Sequence, residues 1–151
     1  PSGHNGLAAD REFLISDAAG ICARASSQWL LFDLDSRRPV RLPVAVTALR
    51  VPDVERPLGS AGKVVLDPGT ERMRTTVRKS DLDMNGHVNN VRYLHWMMDT
   101  LEAAHPKGVD ISFKSEALLG DEIQISEGSE FATGRVVSRA DKVMALARFA
   151  F

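Results

Sequence analysis

One stretch of this chain has the period of a helix, while the segments around it have the period of strands. From Asn90 to Ala104, the residues Val91, Leu94, Met98, Leu101 and Ala104 recur at spacings of three and four, with Arg92, Asp99 and Glu102 elsewhere around the wheel. This spacing predicts an amphipathic helix of about four turns, capped by Asn89 or Asn90 and closed by Pro106 and Gly108. Around it, "REFLISD" (11–17), "ICARASSQWLLFD" (21–33), "ERMRTTVRKS" (71–80), "GVDISFKSEAL" (108–118), "DEIQISEG" (121–128), "FATGRVVS" (131–138) and "DKVMALARFAF" (141–151) read as strands. A lone helix can bury its apolar stripe only by lying against the sheet, so an α+β layer structure is expected.

The strand patterns carry detail. Ala23, Ala25, Ser27, Trp29 and Leu31 fall on one face and Arg24, Ser26 and Gln28 on the other, the signature of a half-buried antiparallel strand joined to its predecessor by the turn "AAG". Between residues 34 and 71 lie five of the seven prolines, with Gly59, Gly62 and Gly69 among them, and this region reads as a linker or extended crossing segment. "REFLISDAAGICARASSQWLLF" and "SEFATGRVVSRADKVMALARFAF" are both strand-turn-strand units, an echo that fits two copies of one domain, the first incomplete. A start at Pro1 that enters strand-like sequence almost at once leads us to expect further sequence upstream.

Composition narrows the function classes. At 151 residues, 44% hydrophobic and 26% charged, the chain has the make-up of an ordinary globular protein. A net charge of −1 gives no uniformly basic surface for phosphate contacts, so nucleic acid is not an expected partner. The single cysteine, Cys22, excludes an internal disulfide framework and a cysteine-rich zinc site. No apolar run approaches the roughly 18 residues of a membrane span and no signal-peptide pattern opens the chain, so a cytoplasmic protein without membrane contact is expected.

The chemistry-bearing groups crowd into "SDLDMNGHVNNVRYLHW" (80–96). Asp83, Asn85 and His87 alternate, and on an extended backbone they would point to one side; the plainer alternative is a polar loop whose Asp and Asn residues make turns. Gly86 permits unusual backbone angles there, and Asp81 could cap or orient the loop. The helix start adds unpaired N–H groups, here those of Asn89, Asn90 and Val91, and a partial positive charge suited to an oxyanion. A carboxylate beside it can act as nucleophile or as base for water, so acyl hydrolysis is the natural chemistry. Glu116 reads on its own as an exposed strand carboxylate. His95, His4 and His105 read as packing, surface or loop residues, and Trp29, Trp96, Met97 and Met98 as core or groove-lining. Asp83, His87 and Glu116 lack any established metal-ligand spacing, and neither metal nor cofactor is expected.

These residues resemble a known family. "SDLDMNGHVNNVRYLHWMMD" is similar to the motif of the acyl-ACP thioesterases, Asp-x-Asn-x-His followed by Val-Asn-Asn and an aromatic-containing helix start. The looser form "DxDxxGHVNNxxYL" is shared with the 4-hydroxybenzoyl-CoA thioesterase branch of the hotdog superfamily. Upstream, "SGHNGLAADREFLISDAAGICARASSQWLLFDLDSRRPVRLP" resembles the end of the first hotdog of the acyl-ACP branch. The resemblance implies a double hotdog: residues 1–43 as terminal strands of a first repeat, 44–70 as linker, and 71–151 as the second repeat, a long helix wrapped by an antiparallel sheet. It implies catalytic roles for Asp83, Asn85, His87 and Glu116. The position after that glutamate, where an older proposal for the family placed a nucleophilic cysteine, is Ala117 here. Implied too are hydrolysis of fatty acyl-ACP thioesters, no cofactor, and acyl carrier protein as partner, with room for a homodimer. An acidic carrier calls for a basic patch, with candidates Arg72, Arg74, Arg78, Lys79 and Arg92, or Arg37, Arg38 and Arg41. The rival readings are an acyl-CoA thioesterase of the same fold and a non-catalytic hotdog that binds acyl chains or merely dimerises.

Overall fold

The computed structural model describes residues 1–33, 35–36, 38–50, 58, 62–102, 105–129 and 133–151. Arg37, Ala104, the start of the expected strand at 131 and much of the expected linker lie outside the described residues. The chain forms two units, Pro1–Gly62 and Lys63–Phe151.

In the first unit, β1 (Gly3–His4), β2 (Ala8–Asp17), β3 (Gly20–Phe32) and β4 (Pro39–Val40) form an antiparallel sheet in chain order, followed by one helical turn, α1 (Val44–Thr47). The β2–β3 hairpin closes as its turn residues demand. Asp17 Oδ1 accepts the Ala19 and Gly20 N–H groups at 2.7 and 3.2 Å, and Gly20 takes φ +131°. The half-buried pattern expected of β3 is not found: Ile21, Trp29, Leu30, Leu31 and Phe32 are all exposed. Alternation in sequence orders the side chains onto two faces, but burial needs a covering layer.

The second unit builds its sheet from β5 (Pro68–Thr76), β6 (Gly108–Phe113), β7 (Glu122–Gly128), β8 (Gly134–Arg139) and β9 (Lys142–Ala150), in the order β5-β7-β8-β9-β6 with every pair antiparallel. A 3-10 turn (Lys79–Asp81) and α2 (Asn90–Met98) lie between β5 and β6. Alternation delivers Met73, Ile123, Ile125, Val137, Ala145, Ala147 and Phe149 to the inner face, where α2 lays Tyr93, Trp96 and Met97 on them. Tyr93 meets Trp96 and Phe113 edge-on, at centroid distances of 5.7 and 6.0 Å. On the outer face Val136 and Leu146 are covered by Val64 and Leu66. Val64 and Leu66, from the stretch read as linker, thus pack within the Lys63–Phe151 unit. Gly128 makes that cover possible, because a Cβ there would stand 3.1 Å from both Leu66 methyl carbons.

Two expectations about the helix are corrected. Its buried face is Tyr93, Trp96 and Met97, whereas Val91 and Met98 of the expected stripe are exposed. Apolar residues occupy two adjacent arcs of this helix, and the sheet takes the arc with the larger side chains. The helix also stops at Met98 instead of running to Ala104. There the chain tightens, Thr100 N–H donating to the Met97 carbonyl at 3.1 Å and Leu101 N–H to the Met98 carbonyl at 3.0 Å, both three residues back. Buried Arg135 of β8 holds the chain just past this end: its Nε donates to Thr100 Oγ1 at 2.7 Å and its Nη2 to the Thr100 carbonyl at 2.9 Å. Arg135→Met takes both donors from Thr100 in a part-buried place, and we expect a loss of about 1–3 kcal/mol, measured from the urea-unfolding transition of the intact protein.

Candidate active site

The loop that precedes α2 is a closed turn, where the sequence suggests an extended run. Asp83 N–H donates to the His87 carbonyl at 2.8 Å and Gly86 N–H to the Asp83 carbonyl at 3.1 Å, while Leu82 bridges Val88 across its base. Gly86 takes φ +78°, a region costly for residues with a Cβ. The Asp83 side chain closes the turn from within: Oδ1 accepts the Asn85 and His87 N–H groups at 2.8 and 3.3 Å. Its Oδ2 faces Asn85 Nδ2 at 3.4 Å. The plain reading of the motif, Asp and Asn making a turn, and the chemical one therefore describe the same atoms.

Asp83 is held below the usual carboxylate range, first by the Asn85 backbone N–H and then by that of His87, with the Asn85 side chain and the His87 imidazole adding to the effect. It is ionised at neutral pH. The other half of the site arrives from β6. That strand leaves the sheet after Phe113, earlier than the expected 118, because Lys114 and Ser115 both direct their N–H groups to one acceptor, the Met144 carbonyl. The freed segment crosses to the loop, where Val88 N–H donates to the Ala117 carbonyl at 2.9 Å and His87 bridges Leu118. This crossing puts His87 Nε2 3.5 Å from Glu116 Oε2. Glu116 is thus on an irregular segment instead of on a strand, with its side chain half exposed.

Of the three helix-start N–H groups, two are already used. Asn89 N–H donates to the Asp81 carbonyl at 2.9 Å, and Val91 N–H to the Asn89 side chain, the N-cap, at 3.0 Å. Asn90 N–H has no acceptor among the described residues. Ala117 is fully buried in the inner core, so the side chain at this position packs away from Glu116 and His87. Cys22 lies exposed in the first unit. No group of three or more His, Cys, Asp or Glu residues among those described is placed to hold a metal ion.

Two residues to which the sequence reading gives no role in the site touch its frame. Arg92 Nε and Nη2 hold Asp81 Oδ1 at 2.8 and 2.7 Å, and buried Tyr93 accepts the Ala117 N–H on its hydroxyl at 3.0 Å. Burial pushes the Tyr93 hydroxyl pKa up, so it stays protonated and neutral. Helical position gives no signal for either, since both partners lie outside the helix.

Residues 67–145 match the family model of the acyl-ACP thioesterase C-terminal domain. The chain belongs to the acyl-ACP thioesterase family. It is 34% identical over 111 residues to a chloroplastic palmitoyl-acyl carrier protein thioesterase of Cuphea hookeriana, covering 66% of this chain and 26% of that protein. It is 30% identical over 125 residues to a chloroplastic oleoyl-acyl carrier protein thioesterase of Coriandrum sativum, covering 74% and 33%. The chain thus spans about a quarter to a third of these family members. Among solved structures, an acyl-ACP thioesterase from Bacteroides thetaiotaomicron superposes with TM-score 0.87 at 21% identity over 99% of this chain and 65% of that one. A 12:0-ACP thioesterase from Umbellularia californica gives TM-score 0.68 at 20% identity, covering 99% and 64%. These likenesses show the fold, a hotdog, with α2 as the helix against its sheet. Among the described residues no helix is long and apolar enough to cross a membrane.

The depressed Asp83 titration fixes a sign. Its support of the loop is present above the ordinary carboxylate pKa near about 4 and is lost as pH falls through the lowered folded value. In Asp83→Ala we expect the Asn85 and His87 amide protons to exchange at least about tenfold faster at neutral pH, with Ile123 and Ile125 unchanged, as read by NMR hydrogen exchange.

Proposed function

We propose that the intact protein hydrolyses fatty acyl thioesters carried on acyl carrier protein, releasing the fatty acid and the carrier thiol and so ending chain elongation. One observation carries this reading: the loop that leads into α2 presents an ionised Asp83, and its His87 stands 3.5 Å from Glu116 of the segment after β6, beside the Asn90 N–H, which has no acceptor among the described residues. Membership of the family supports the choice of a thioester, and the names of the relatives support the carrier over coenzyme A. On this reading residues 1–43 are the closing strands of a first hotdog repeat.

The chemistry follows from charge. Attack on a thioester carbonyl turns its oxygen into an oxyanion, which the Asn90 N–H and the positive end of the helix stabilise. Asp83 attacks the carbon itself, or takes a proton from the water that does. Asn85 and His87 orient that carboxylate and the substrate. Glu116, beside His87, is the partner base for the hydrolytic water, and the carbon–sulfur bond breaks with a proton passing to the departing thiolate. Water supplies the hydroxyl of the acid and the hydrogen of the thiol.

Several residues of the expected basic patch are already neutralised within the fold. Arg72 pairs with Glu127, Arg74 with Glu71 and Arg92 with Asp81. Arg78 and Lys79, exposed beside the loop, are the second unit's candidates for an acidic carrier.

In the full-length protein, Asp83→Asn and Glu116→Ala should each lower acyl-ACP turnover by about 100-fold or more while the circular-dichroism melt stays intact. Near wild-type rates in both would sink the assignment. Equal or faster turnover of the matched acyl-CoA would transfer the reading to that substrate. Removing both charges at Arg78 and Lys79 should raise KM for acyl-ACP severalfold at low salt and leave kcat alone, an effect that fades as salt is added.

A further inference from the structure

The candidate site is assembled from two pieces of chain that are not neighbours in sequence, and each piece is tied to α2 by one of two consecutive residues. The first piece is the loop from Asp81 to Asn89. Asp81 is only 2% exposed, and a carboxylate so far removed from water must be fully partnered. Its Oδ1 takes both Arg92 nitrogens, its Oδ2 accepts the Arg78 N–H at 2.8 Å, and its carbonyl accepts the Asn89 N–H. One residue therefore anchors the entry and the exit of the turn that displays Asp83, Asn85 and His87. The second piece is the segment that carries Glu116. The next residue is held through both of its backbone groups: the Ala117 N–H by the Tyr93 hydroxyl, and the Ala117 carbonyl by the Val88 N–H. Since His87 precedes Val88 and Glu116 precedes Ala117, holding that residue brings together the backbones that carry the imidazole and the carboxylate, 3.5 Å apart.

We propose that Arg92 and Tyr93 are the positioning residues of the site, Arg92 setting the Asp83 half through Asp81 and Tyr93 setting Glu116 through the Ala117 peptide. This inference rests on the thioesterase reading above. Consecutive residues on a helix point about 100° apart, so one side chain reaches the loop at the rim while the other enters the core beneath it. Neither side chain needs to touch substrate. Their separate anchoring makes the two halves adjustable one at a time.

The test uses the full-length protein. Tyr93→Phe keeps the ring and its edge contacts and deletes only the hydroxyl. We expect the Ala117 amide proton to exchange about tenfold faster, kcat to fall about tenfold, and KM to stay within about twofold, since substrate contacts are untouched. In a Glu116→Ala background the same substitution should cost nothing further, because its effect passes through Glu116. Arg92→Ala should lower kcat with faster exchange at Asn89, and Arg92→Lys should restore only part, because an ammonium cannot reproduce the two-pronged contact. Unchanged Ala117 exchange in Tyr93→Phe, or a kcat loss that multiplies in full with that of Glu116→Ala, overturns the proposal. If Asp83→Asn and Glu116→Ala are both fully active on acyl-ACP, the thioesterase assignment fails, and the exchange rates at Ala117 and Asn89 still decide whether the two anchors exist.

Discussion

Five strands in the second unit have one helix with which to keep water off their inner face, and that shortage governs the rest of the unit. Tyr93, Trp96 and Met97 must cover an apolar surface drawn from every strand of the sheet, so α2 is pinned along its whole length. Its start is thereby tied to the core through Tyr93, the fourth residue of the helix. The loop and the Glu116 segment gain order by attaching to this fixed point through a few hydrogen bonds, without burying much surface of their own.

Three carboxylates near the helix start show how environment divides labour among chemically similar side chains. Asp81 is buried and saturated with donors, so it is structural. Asp83 is half-exposed and held ionised by two backbone N–H groups of its own turn, which leaves it charged, placed and reachable. Glu116 is half exposed and faces the His87 imidazole at 3.5 Å. Their positions within one loop and one segment are fixed by different partners, and so the three can serve different ends at close quarters.

Much of this was legible in the sequence, and what was not has physical causes. The helix was readable from its spacing and its cap from Asn89, because both are local signals. Its end was not, since the apolar spacing runs on through Leu101 while the backbone bonds have already shortened to three residues at Thr100. Its buried arc was ambiguous because Leu94 belongs to both candidate stripes, and only the sheet chooses between them. The density of polar groups in the motif marked the site, yet alternation gave the wrong backbone: Asp83 bonds the chain ahead of it and curls what would otherwise be extended. Glu116 looked like an ordinary strand residue because nothing in "SFKSEALLGD" tells that Lys114 and Ser115 share one acceptor. In the first unit, alternation along β3 could not say whether either face is covered, and its large apolar residues are exposed.

Ala117 has a further consequence. It lies between Glu116 and the crossing to the loop, both of its backbone groups bonded and its methyl fully buried in the inner core. A bulkier side chain there would press on that core, and the backbone that gave way would be the one bearing Glu116. The position thus works as a spacer, translating the volume of one methyl group into the distance between Glu116 and His87.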